Sequence, residues 1–165
     1  MRWLRFAVFI VIVTVLQAGM VDILAVTRWD VKPDLLLILL VFFAIYCNTS
    51  EAIVTSFTIG FAADIIGSAM GAQTLSFGLF GTSLAYLHRV ISIKKIPYQS
   101  AAIFMTGVLA GTVAYFLSLL KGQPASSNVY GAIFGSSLYS SLLGPFFFLP
   151  SAWWMRMKTP RFRRK

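Results

Sequence analysis

Apolar residues in this chain come in runs approaching twenty, and that feature decides most of what the chain can become. A helix rises about 1.5 Å per residue, so ~20 apolar residues cover the roughly 30 Å hydrocarbon core of a bilayer. Six such runs would use about 120 residues of the 165 present, leaving room for short connections and two tails but for no soluble domain. Charged residues make up 12% of the chain, against roughly 25% in soluble domains. A water-soluble globule of this size cannot hide so much apolar surface, and a disordered polymer would not carry it. The expected architecture is all-α: a polytopic membrane helix bundle of about six transmembrane helices. It forms one domain over residues 1–155, followed by a basic tail over 156–165.

The first run begins after Met1-Arg2-Trp3-Leu4-Arg5 and extends to about Val26. It reads as an uncleaved span, being too long for a signal peptide and lacking a good cleavage site. Pro33 opens the second helix, where its missing N–H costs nothing, and Asp34 complements the helix dipole. Residues 35–46 are apolar but few, residues 48–51 break the run, and a third run covers about 52–66. This region is either two short membrane helices with a tight turn or a hairpin that does not fully cross. Residues 67–71 form a small-residue turn. A fourth helix is expected over 73–87, then a basic loop with His88, Arg89, Lys94 and Lys95. A fifth helix over 98–120 and a sixth over 130–155 follow, the last kinked by Pro145 and Pro150.

Net charge is +9. In a soluble protein that would point to nucleic acid; here no nucleic-acid partner is expected, because the positive-inside rule accounts for the excess. Six spans put both termini on one side. Arg2, Arg5, Arg89, Lys94, Lys95 and the six cations of the tail then share it, against Arg28, Lys32 and Lys121 opposite. That side is cytoplasmic, with the tail held by anionic lipid at roughly 1 kcal/mol per basic residue; a cytoplasmic protein is the other partner the tail suits.

Catalysis finds little support. There is one His and one Cys; no zincin, P-loop or nucleophile-elbow motif is present. Neither a catalytic set nor a metal or other cofactor is expected. Asp64 stands out, since a carboxylate in or at the edge of a membrane is costly and needs a partner or water. It caps the turn at 67–71, pairs within the bundle or with a partner, or takes substrate or protons. Small residues recur at four-residue spacing, including Ser56 and Gly60 and the pair Gly107 and Gly111, a pattern that lets helices approach closely in lipid.

These residues also carry a resemblance. Lys32-Pro33-Asp34-Leu35-Leu36-Leu37 looks like the P-D-L entry to the second helix of MreD, the small rod shape-determining membrane protein family. The stretch from Ser56 through Gly60 to Asp64 resembles that family's G-F-x-x-G-x-x-x-D segment, with Ser56 where Gly is frequent, and Gly71 follows. The resemblance implies an inner-membrane scaffold of the bacterial cell-elongation machinery that supports rod shape and lateral peptidoglycan synthesis. The implied partners are MreC, a single-span protein, and, directly or indirectly, the MreB filament and the wall polymerase and transpeptidase. It also implies a bundle similar to the substrate-binding S-components of energy-coupling-factor transporters. Pro33, Asp34, Ser56, Gly60, Asp64 and Gly71 match its motif positions, with structural and interfacial roles. The alternative is a substrate-binding subunit of a small-solute transporter, which predicts a polar cavity near the outer face beside Asp64.

Overall fold

A computed structural model describes residues 3–19, 32–67, 71–90, 96–122 and 129–155. Six helices follow in chain order: α1 (Trp3–Gly19), α2 (Leu35–Tyr46), α3 (Thr49–Ile66), α4 (Ala72–Val90), α5 (Ile96–Leu120) and α6 (Val129–Met155). No strand occurs among the described residues. The expected end of the first span near Val26, the charges Arg28, Lys94 and Lys95, and the basic tail 156–165 lie outside them.

Three helices are long and apolar enough to cross a bilayer: Thr49–Ile66, Pro97–Leu120 and Val129–Phe148. The protein is thus an all-helical membrane bundle. Contacts fix the helix directions. Phe6 packs edge-on to Phe43 at 5.0 Å, while Gln17 reaches Pro33 and Leu35, so α1 and α2 are antiparallel. At one end Tyr46 meets Gln99 of α5, at 3.2 Å, and the ring of Phe148 of α6. At the other end Asp64 meets the start of α4. Successive helices therefore alternate in direction between a Tyr46 end and an Asp64 end.

The core is α2. Every residue from Leu35 to Ile45 is buried, so this helix is apolar all round because protein surrounds it. It has 12 residues, or about 18 Å, too little to cross a bilayer. The expectation of a short second element holds; what surrounds it is protein on all sides. At the Tyr46 end, Phe6, Phe42, Phe43, Tyr46 and Phe148 form a cluster whose contacts are edge-to-face, as ring quadrupoles favour, except for the tilted Phe42–Tyr46 pair.

Several boundaries move outward from the sequence reading. Thr49, Ser50 and Glu51 form the first turn of α3, so the expected break between α2 and α3 narrows to Cys47 and Asn48. Asn48 occupies the N-cap position, and an acidic first turn suits the helix dipole. His88 and Arg89 belong to the end of α4, not to a loop. Helix α6 continues through Pro145 and Pro150.

Candidate functional site

The residues singled out in the sequence gather at two helix starts. The first is the buried N-terminus of α2. A helix leaves its first N–H groups without intrahelical partners, and burial makes an unpaired one costly. Asp34 is the N-cap, and its carboxylate accepts from Leu37 N–H at 3.0 Å. Leu35 N–H donates to Gln17 Oε1 of α1 at 2.8 Å, and Asp34 N–H donates to Ser140 Oγ of α6 at 2.8 Å. Pro33, fully buried, brings no N–H that would need a partner. Ser140 lies eleven residues beyond Val129, about 16 Å along α6. Helix α2 thus begins deep inside the bundle, held there by side chains of α1 and α6.

The pairing of Gln17 and Ser140 with the start of α2 is not legible in the sequence, because their bonds span 18 and 106 positions. Gln17 does interrupt an apolar run, which is the one local signal. Replacing Gln17 by Leu removes the acceptor for a buried N–H. The expected cost is about 1–3 kcal/mol, read as a lower Tm in detergent together with faster amide exchange over 33–37.

The second cluster closes the α3–α4 hairpin. Gly71 precedes α4 with φ +90°, a conformation that L side chains adopt only with strain. Being Gly, it has no side chain to cap the helix. Asp64 supplies that cap from the last turn of α3. Its Oδ1 accepts from Gln73 N–H at 2.9 Å and its Oδ2 from Thr74 N–H at 2.8 Å. The Thr74 hydroxyl donates to the same Oδ2. Asp64 is buried, and a carboxylate that accepts this many bonds at a helix N-terminus is well placed there.

Below Asp64 the two helices approach through small residues. A Cβ on Gly60 would lie 2.7 Å from Thr74 Cα and 2.9 Å from Gln73 O, both backbone atoms. Ser56, one turn further, is buried, returns its hydroxyl to Ala52 O at 2.7 Å, and sits against Gly81. Ser56, Gly60 and Asp64 therefore form one face of α3 directed at α4. Gly107 and Gly111 play the equivalent part between α5 and α6, against Ser137 and Ile133.

The two clusters share a cavity of about 270 Å³ at the Asp64 end. Lys32, Asp34, Gln73, Ser136 and Ser137 give it polar groups, and Leu37, Phe77 and Ile133 give it apolar walls. Pro33 and Asp34 meet the Ser56–Gly60–Asp64 face there through Gln73 and Phe77, which contact Gly60 on one side and line the cavity on the other. The sequence gives no sign that Lys32, Gln73, Ser136 and Ser137 converge on one cavity. Among the described residues, no group of three or more His, Cys, Asp or Glu side chains is placed to hold a metal ion.

No curated protein and no solved structure matches the chain. The family model of the rod shape-determining protein MreD matches residues 1–157, a span that takes in both capped helix starts and all six helices. On that match the chain belongs to the MreD family of rod shape-determining proteins.

Proposed function

We propose that this chain is a non-enzymatic inner-membrane scaffold of the cell-elongation machinery, acting in a complex with an MreC-type single-span protein to support lateral peptidoglycan synthesis. The observation that carries the reading is the use to which the site's polar groups are put. Asp34, Asp64, Gln17 and Ser140 are engaged with backbone N–H groups of helix starts, which fixes a shape. Family membership supplies the shape-determining role. On this reading both termini are cytoplasmic, residues 1–155 form one domain, and the tail 156–165 rests on anionic lipid. Pro33, Asp34, Ser56, Gly60, Asp64 and Gly71 set the helix geometry on which partners dock; the wall polymerase, the transpeptidase and the MreB filament join directly or through the single-span partner.

A second reading, a substrate-binding subunit of a small-solute transporter, is favoured by the cavity at the Asp64 end. One experiment separates the two. The tagged protein is purified from native membranes in mild detergent and its companions are identified. Recovery of a single-span periplasmic protein with wall synthases is the expected outcome. Recovery of ATPase subunits and a coupling membrane protein instead would replace the scaffold reading with the transporter reading.

A further inference from the structure

The cavity beside Asp34 has a structural cause. A membrane span takes ~20 residues, and α2 has 12. Its neighbours α5 and α6, with 25 and 27 residues, continue past its start. In place of the missing turns runs the extended segment Lys32-Pro33-Asp34, which is thinner than a helix. The cavity lies beside this segment.

What lines that volume is not what lipid or bare packing would select. Lys32 and Asp34 stand two positions apart and both line the cavity. Gln73 of α4 and Ser136 and Ser137 of α6 add one amide and two hydroxyls. A polar hollow at this depth in a membrane bundle is filled by water or by a ligand, since empty cavities are apolar ones. At roughly 30 Å³ per water, the space equals about nine waters.

A bare anion attracted to Lys32 would meet the Asp34 carboxylate, and a bare cation attracted to Asp34 would meet the Lys32 ammonium. Opposite charges placed side by side instead complement a group that carries both. We propose that this cavity binds a small zwitterion, its ammonium towards Asp34 and its phosphate or carboxylate towards Lys32, with Gln73, Ser136 and Ser137 hydrogen-bonding the anionic end. The same chemistry is offered by a phosphoethanolamine lipid head and by a free amino acid. The inference does not depend on which proteins copurify with the chain.

The test uses the purified full-length protein. Thermal unfolding is followed with O-phosphoethanolamine, with each common L-amino acid, and with phosphate or ethanolamine alone; native mass spectrometry reads any retained phospholipid. Either phosphatidylethanolamine is retained or at least one free zwitterion raises Tm by about 3 °C or more at millimolar concentration. Phosphate and ethanolamine alone give less than about a third of that shift. Lys32→Gln and Asp34→Asn each weaken binding about tenfold or more, and Ser136→Leu, which fills the cavity, abolishes it. Asn keeps an N-cap oxygen, so the charge is removed with the cap in place. Lys32→Gln carries the test if Ser136→Leu fails to fold. Retained phosphatidylethanolamine that Lys32→Gln loses assigns the lipid head; a response to a free amino acid with no retained lipid assigns the solute. The proposal is overturned if no zwitterion acts and no such lipid is retained. It is equally overturned if phosphate alone acts as strongly and Asp34→Asn leaves that response intact.

Discussion

Gly60→Leu is expected to yield no monodisperse protein, and Gly60→Ala to lower Tm by about 3–10 °C. The reason is geometric. The atoms a new Cβ would strike, Thr74 Cα at 2.7 Å and Gln73 O at 2.9 Å, belong to the backbone of α4. A side-chain neighbour can rotate away, but a backbone neighbour moves only if the helix moves. Shifting α4 outward also draws Gln73 and Thr74 away from the carboxylate of Asp64, so the cap and the seam fail together. Overpacking a closely fitted contact costs about 1–3 kcal/mol for small additions, and a Leu side chain has no space at all. Gly19→Ala is the internal control. Nothing lies within 4 Å of a Cβ there, and Ala favours a helix over Gly by about 0.4–1 kcal/mol. Its Tm should hold or rise slightly. The measurement is made on the isolated protein, which separates folding from assembly. If Gly60→Ala unfolds at the wild-type temperature while partner capture is lost, the residue serves an external interface and not the α3–α4 seam.

That distinction marks where sequence reading stops. Asp34 is legible as a helix start because a cap acts over three residues, and it does accept from Leu37 N–H; Pro33, expected inside the first turn, stands one position before the N-cap, since the helix begins at Leu35. The shortness of α2 is legible too, because Asn48 follows its apolar run so soon. Its place at the centre is not. In a membrane, lipid-facing and protein-facing helix surfaces are both apolar, as Met105, Leu109 and Phe116 on the outward side of α5 show, so the apolar character of α2 does not by itself place it at the centre. Small-residue spacing has the same ambiguity: it announces that Ser56 and Gly60 meet a helix, not which one. The polar partners that fix the interior come from far along the chain, Gln17 to Leu35 and Ser140 to Asp34, and no local pattern pairs them. The cavity is a third-order feature of the same kind. It exists because one helix is shorter than its neighbours, and only their packing shows what is left unfilled.

Asp64 invites the other large effect. Its carboxylate takes two backbone N–H groups, at 2.9 and 2.8 Å, and the Thr74 hydroxyl. Hydrogen bonds to a charged group contribute about 1.5–3 kcal/mol each, and removing the acceptor leaves buried donors unsatisfied. Asp64→Ala should therefore destabilise the protein by about 3–5 kcal/mol, at the upper end for a single substitution. Asp64→Asn keeps one acceptor oxygen but presents an amide N–H₂ to the second donor, so about half of that loss is expected. Gly71 cannot compensate, having no side chain and a φ of +90° that disfavours one. Thr74→Val removes the hydroxyl alone and should cost about 1 kcal/mol in the wild-type background. In the Asp64→Ala background it should cost almost nothing, because the bond is already gone, which gives a coupling of about 1 kcal/mol in a double-mutant cycle. Thermal unfolding of the four proteins in one detergent measures it. Additive losses would mean that Asp64 stabilises the protein by some route other than the start of α4. A wild-type Tm for Asp64→Ala, with rod shape lost in cells, would move the residue from the frame of the bundle to its working surface.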